Sequence, residues 1–147
     1  MGKYDEIKLD NQLCFSLYAA SREVIKMYKP CLDKFNLTYT QYIAMLVLWE
    51  EEKCTVKRMG ERLHLDSGTL TPLLKKLEKN GLILRHRDNQ DDRVVIIELT
   101  QDGYNLKSEI TCIPCEMKEK LGLSKENAEY LKRILDELLN SINWISI

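Results

Sequence analysis

Thr55-Val-Lys-Arg-Met-Gly-Glu-Arg-Leu-His-Leu65 runs directly into Asp66-Ser-Gly-Thr-Leu-Thr-Pro-Leu-Leu-Lys-Lys-Leu-Glu-Lys-Asn-Gly81. In the first stretch Val56, Met59 and Leu63 fall at helical spacing, and Thr55 is suited to cap the helix they make. In the second, Leu70, Leu73, Leu74 and Leu77 recur at i, i+3, i+4 and i+7; Asp66 and Ser67 supply the capping and turn chemistry ahead of them, and Asn80-Gly81 ends the helix. Those leucines face inward, which leaves Gly68, Thr71, Pro72, Lys75, Lys76 and Lys79 on or beside the outer surface. Pro72 removes one backbone hydrogen bond, but early in the helix, where the loss costs least.

Leu82 to Arg87 and Val94 to Leu99, rich in Ile, Val and Leu, read as strands joined by the polar turn Asp88-Asn-Gln-Asp-Asp92. Two short helices followed by a hairpin with a charged tip predict a winged helix-turn-helix over residues 53–100, a module that reads duplex DNA. The small or hydroxylated residues Ser67, Gly68, Thr69 and Thr71 suit an approach to base edges. Lys75 and Lys76, with Arg87 and Arg93 on the wing, suit phosphates or the minor groove. Charge follows the same division. Lys53 to Arg93 holds ten Lys/Arg against six Asp/Glu, a balance of +4; the remainder holds twelve against seventeen, a balance of −5, and the two sum to the net charge of −1. A nearly neutral chain gathers its positive charge on one module, as phosphate binding requires.

Length and composition set bounds. At 147 residues and 44% hydrophobic, residues 1–147 suit a single domain that includes a helical dimerisation arm. No apolar run approaches the roughly 20 residues needed to span a bilayer, and Met1-Gly-Lys-Tyr-Asp-Glu6 is too polar for a secretory signal, so a cytoplasmic protein that does not meet a membrane is expected. The five cysteines, Cys14, Cys31, Cys54, Cys112 and Cys115, are an odd number without an export signal, and reduced thiols are the default. Only His64 and His86 are available beside them and neither neighbours a cysteine pair, so neither a metal site nor a cofactor is expected.

The flanks read as helices. From Leu9 to about Phe35, Leu13, Leu17, Ala20, Val24, Met27 and Cys31 form one stripe expected to be buried, and Cys14, Tyr18, Ile25, Tyr28 and Leu32 form a second beside it, with Pro30 expected to kink or interrupt the helix. A helix apolar on two sides needs two packing partners, and in so small a chain one of them is a second subunit. Tyr39 to Glu52, capped by Thr38 or Thr40, reads as a core helix. Thr100 caps a further helix expected to reach about Leu121; Gly122-Leu-Ser124 breaks it, and Ser124 caps a last helix carrying Ala128, Leu131, Leu135, Leu138 and Ile142. The fold class is therefore mainly α with a small β-hairpin wing, and segments 9–35 and 101–147 supply a helical dimerisation region from both termini.

Over nearly its whole length the chain resembles the MarR family of bacterial regulators. Asp91-x-Arg93 and the strand ending Leu99-Thr100 look like that family's wing. Asn11-Gln-Leu-Cys-Phe-Ser-Leu-Tyr18, Leu37-Thr-Tyr39 and Leu65-Asp-Ser-Gly-Thr-Leu-Thr-Pro-Leu-Leu-Lys75 resemble its organic-hydroperoxide sensors of the OhrR type. Thr40 departs from the proline common there, which touches only the entry to the second helix. The resemblance implies a homodimer that represses its target genes from double-stranded operator DNA and releases it when a hydroperoxide oxidises an N-terminal cysteine. By position that cysteine is Cys14, with Tyr28 and Tyr39 as its hydrogen-bonding tyrosines.

Peroxide reactivity requires thiolate, hence donors or positive charge near the sulfur. Tyr28 shares a helical face with Cys14 but stands fourteen residues along, about 21 Å, so it can serve Cys14 only from the antiparallel helix of a second subunit. Cys112-Ile-Pro-Cys115 has redox spacing but lacks the strand and βαβ context of a thioredoxin motif. Cys112 and Cys115 stand either as resolving partners for an oxidised Cys14 or as passive thiols; without a resolving partner a small thiol would cap the sulfenic acid. Two rivals accompany the sensor reading: a regulator of the same fold controlled by a small aromatic ligand, and a thiol peroxidase. The expectation is a regulator and not an enzyme.

Overall fold

The computed structural model describes residues 2–142. Its centre is helix α2, Tyr39–Glu51, started by a capping box in which the Thr38 hydroxyl accepts from the Gln41 N–H while the Gln41 side chain accepts from the Thr38 N–H. Nearly every face of α2 is covered: Ala44, Met45 and Leu48 have no exposed surface. Helix α1, Leu13–Asp33, packs on one side of it. Helices α3, Val56–Leu63, and α4, Ser67–Lys79, pack on another and bring Met59, Leu70, Leu74 and Leu77 into the same core. Thr55 caps α3 and Asp66 caps α4, each accepting from the backbone N–H three residues on. The turn between these helices is tight: a Cβ on Gly60 would lie 2.7 Å from the Leu65 carbonyl oxygen.

The wing carries one strand more than the sequence suggested. β2, Ile83–Arg87, and β3, Val95–Leu99, pair antiparallel with Ile83 opposite Leu99 and Arg87 opposite Val95. On the other edge of β3 the short β1, Lys53–Thr55, adds itself with Cys54 opposite Ile97, so the sheet order is β1-β3-β2. β1 ties the entrance of the helix-turn-helix to the wing, and Ile97, fully buried, fills the space beneath them.

Beyond the wing a single helix to Leu121 was expected; the chain forms two. α5, Gln101–Glu109, is capped by Thr100, and α6, Ile113–Leu121, begins with Pro114 in its first turn. A proline there lacks the N–H that would continue the preceding helix and favours a fresh start. α7, Lys125–Ser141, follows from its Ser124 cap; the end of the expected 101–147 segment past Ile142 lies outside the described residues.

α1 differs from expectation in two ways. Pro30 does not interrupt it, since the helix runs on to Asp33, and the 3₁₀ turn Leu9–Asn11, preceded by another at Asp5–Ile7, replaces its expected first turn. Of the stripe expected to be buried only Cys31 is; Val24 and Met27 are half-buried, while Leu13, Leu17 and Ala20 are exposed. The second stripe behaves alike, with Leu32 buried, Tyr28 half-buried and Cys14, Tyr18 and Ile25 exposed. The C-terminal half of α1 meets the chain's own core, and the apolar residues of its N-terminal half lie largely exposed among the described residues. α7 likewise has no buried residue despite its apolar face.

Candidate nucleic-acid interface and thiol site

The outer surface of α4 presents Ser67, Gly68, Thr69, Thr71, Lys75 and Lys76, all exposed, on a helix whose Leu70, Leu73, Leu74 and Leu77 are buried beneath them. The Thr71 hydroxyl donates to the Ser67 carbonyl at 2.8 Å, so toward an incoming base it offers lone pairs and no proton. Glu78, on the inner side of α4, reaches the wing: its Oε1 accepts from Arg85 Nη2 at 3.0 Å and its Oε2 from the Arg85 N–H at 3.2 Å. The wing tip is held by its own charges, with Arg93 donating to Asp91 from its backbone N–H, Nε and Nη2, and Arg87 Nη1 donating to the Asp92 carbonyl at 2.6 Å. Between α3, α4 and the wing lies a recess of about 510 Å³ whose lining includes Lys57, Thr71, Arg85 and Arg93.

The positive balance of this module is smaller in space than in sequence. Glu50 and Glu51, just ahead of residues 53–100, fold back onto α3: Glu51 Oε1 takes Arg62 Nη1 at 2.6 Å and Arg58 Nη2 at 3.2 Å, and Glu50 takes Arg62 Nη2 at 2.7 Å. The Arg62 and Arg58 guanidiniums hold the Glu51 carboxyl below its usual range. Arg58, Arg62 and Arg85 are thus held by carboxylates within the fold, and Lys57, Lys75, Lys76 and Lys79, with Arg87 and Arg93 exposed on the wing, carry the charge available to phosphate.

The expected sensor residues fall into two groups. Tyr28 of α1 and Tyr39 of α2 come together, with ring centroids 4.8 Å apart. Tyr42, which sequence reasoning passed over as core, completes a trio, 5.8 Å from Tyr28 and 6.4 Å from Tyr39. Burial, and then the neighbouring Tyr39, Tyr42 and Cys31, push the Tyr28 hydroxyl up to about 12, and burial raises Tyr39 as well. Both are neutral donors near pH 7, and neither hydroxyl has a hydrogen-bond partner among the described residues. Cys14 stands apart from them, exposed near the start of α1.

The other cysteines separate clearly. Cys54, half-buried in β1, is pushed up to about 11 by burial and by Glu51, and is an inert thiol at neutral pH. Cys31 is buried and donates to Glu116 Oε2 at 2.9 Å, while Lys120 Nζ donates to its sulfur at 3.3 Å. Glu116 lies below its usual range, chiefly through its hydrogen bond from Cys31, with Cys112 contributing less. Cys112 and Cys115 are both exposed. Cys31, Glu116 and Lys120 formed no part of the expected site: each is unremarkable alone, and they meet only when α6 packs on α1.

A helix-turn-helix joined to a three-stranded wing, with a hydroxyl-lined and lysine-flanked helix turned outward, defines a winged-helix transcriptional regulator. The family described as Transcriptional regulator SarA/Rot matches residues 26–110. The chain is 57% identical, over 93% of its length and 91% of the relative's, to the organic hydroperoxide resistance transcriptional regulator of Bacillus subtilis. Among solved structures it is similar to reduced AbfR bound to DNA, with 36% identity, a TM-score of 0.79 and coverage of 95% of this chain and 97% of that one. It is also similar to disulfide-formed AbfR, with 36% identity, a TM-score of 0.66 and coverage of 93% and 96%; AbfR is a protein of Staphylococcus epidermidis. The chain belongs to the MarR family of transcriptional regulators, on the branch that holds these relatives. Among the described residues no helix is long and apolar enough to cross a membrane, and no group of three or more His, Cys, Asp and Glu is placed to hold a metal ion.

Proposed function

We propose that the chain is a cytoplasmic, homodimeric, redox-sensing repressor that leaves its operator DNA when an organic hydroperoxide oxidises Cys14. The observation that carries this reading is the pair of unpartnered, neutral tyrosine hydroxyls of Tyr28 and Tyr39, gathered at one end of α1 while Cys14 lies exposed near the other. An antiparallel second copy of α1 would lay its own Cys14 against those hydroxyls, where two donors stabilise a thiolate without adding charge. The same association covers the apolar N-terminal half of α1 and the unburied face of α7.

Ser67, Gly68, Thr69 and Thr71 meet base edges; Lys75, Lys76, Arg87 and Arg93 hold phosphates or the minor groove. Oxidation of a sulfur at the dimer seam alters the fit of the two α1 helices. It thereby shifts the distance between the paired α4 helices, which must match about one DNA turn, 34 Å. Likeness to a hydroperoxide-resistance regulator and to a regulator solved in reduced and disulfide forms supports this assignment. A small thiol, Cys112 or Cys115 then caps the oxidised Cys14.

Operator binding measured with and without an organic hydroperoxide tests the proposal. The parent is expected to release DNA and Cys14→Ser to hold it. Equal release by both overturns the role of Cys14, and release by an aromatic ligand under full reduction, with hydroperoxide inert, favours the ligand-controlled alternative.

A further inference from the structure

Two cysteines converge on Glu116 inside a single chain. Glu116 accepts from Cys31 at 2.9 Å, its own N–H donates to the Cys112 carbonyl at 3.1 Å one helical turn away, and Lys120 stands 3.3 Å from the Cys31 sulfur. Cys31 is 3% exposed, so a peroxide cannot reach it directly, whereas Cys112 is exposed at the start of α6. One accessible thiol beside one enclosed thiol that holds both a proton acceptor and a cation is the division of labour of an attacking and a resolving cysteine. A buried structural thiol needs neither Glu116 nor Lys120.

We propose that Cys112 and Cys31 form an intrachain dithiol couple, oxidised by hydroperoxide to a disulfide that joins α6 to α1. The Cys112 thiolate attacks the terminal oxygen of the hydroperoxide, the O–O bond breaks, and the alkoxide leaves and takes up a proton as the alcohol, giving the Cys112 sulfenic acid. The Cys31 sulfur then attacks the Cys112 sulfur as Glu116 accepts its proton. The S–O bond breaks, and the departing hydroxide takes that proton and leaves as water. Two thiols and one hydroperoxide become one disulfide, one alcohol and one water.

The couple does not require Cys14. It withdraws Cys112 from competition for an oxidised Cys14, so that any resolving role there falls to Cys115. It also ties α1, the helix that carries Tyr28, to α6.

The full-length Cys14→Ser protein is treated with one equivalent of cumene hydroperoxide, its remaining thiols are alkylated, and its intact mass and non-reducing peptide map are measured. Two fewer alkyl labels than on the reduced control, single-chain mobility on a non-reducing gel and a linked peptide containing Cys31 and Cys112 are expected. Cys115→Ser added to this background should leave the linked peptide in place. Glu116→Gln should slow its appearance by about tenfold or more, because the proton acceptor is gone. A Cys112–Cys115 bond, an interchain bond, or an overoxidised Cys112 with Cys31 still alkylatable after unfolding overturns the proposal. Because the parent's DNA release is read separately, failure of the couple leaves the role of Cys14 standing, and the reverse also holds.

Discussion

Glu78 and Arg85 join α4 to the wing: one carboxylate takes both the guanidinium at 3.0 Å and the backbone N–H at 3.2 Å of the same arginine. Arg85 Nε is meanwhile buried without a partner. The pair is part-exposed, so Glu78→Ala should cost no more than about 1 kcal/mol in urea unfolding. Its larger effect should be on geometry: operator affinity should fall while its salt dependence keeps the parent's slope, since no phosphate contact is removed. The Arg85 guanidinium depresses the Glu78 carboxyl below 4.5; the stabilisation is therefore present above that value and lost as pH falls below it, and Glu78→Gln should flatten the acid limb of a stability profile.

The pairing of Arg58 and Arg62 with Glu50 and Glu51 separates lysines from arginines as phosphate contacts. Lys75→Ala and Lys76→Ala should each lower the slope of log affinity against log salt by about 0.9, as the loss of one phosphate contact does. Arg58→Ala should leave that slope unchanged. Binding titrated at several salt concentrations distinguishes the three variants, and an equal loss for Arg58 would show that its ion pair opens on DNA.

Tyr28→Phe and Tyr39→Phe should each slow oxidation of Cys14 by about tenfold, the worth of one hydrogen bond to a charged sulfur. Affinity of the reduced protein for DNA should be preserved. A Tyr28 raised to about 12 in the folded chain, against about 10 when unfolded, favours folding fully below pH 10, and this contribution is lost as pH rises through 12. Phenolate absorbance should therefore show part of the tyrosine signal appearing only with alkaline unfolding, and Tyr28→Phe should reduce that part.

Gly60→Ala should be among the most destabilising single substitutions in the module, because the added carbon meets a backbone oxygen 2.7 Å away in the turn that sets α3 against α4. A loss of about 2 kcal/mol or more is expected from denaturant midpoints. Gly68→Ala, whose Cβ would lie 3.3 Å from a side-chain oxygen of Asp66 on the exposed surface, should barely alter stability and should act on DNA binding instead.

What could be read in advance was local. Thr55, Thr100 and Ser124 cap the helices they were expected to cap, and Thr38 and Asp66 were among the candidates for theirs, because an N-cap is decided within three residues of chain. The leucines of α4 are buried as their spacing required. What escaped depends on partners far along the chain. β1 is three residues long, too short for any period, and exists only because β3 offers an edge. Cys31 meets Glu116 and Lys120 across 85 and 89 residues, and Arg58 and Arg62 counted toward the positive balance of the module, which Glu50 and Glu51 reduce by folding onto them. The apolar stripe of α1 was legible as a stripe, but periodicity does not say whose core it enters.

α7 has no buried residue. Its own stabilisation is confined to the Ser124 cap and exposed i,i+4 pairs such as Lys132–Asp136. Under the homodimer proposed above, its apolar face is covered by the second copy, so the folded population should grow with protein concentration and the thermal midpoint should rise on concentrating the sample. If the proposed homodimer is what binds the operator, occupancy at low abundance would climb as the square of the number of chains, and a modest fall in expression would empty the operator disproportionately, with no oxidant present.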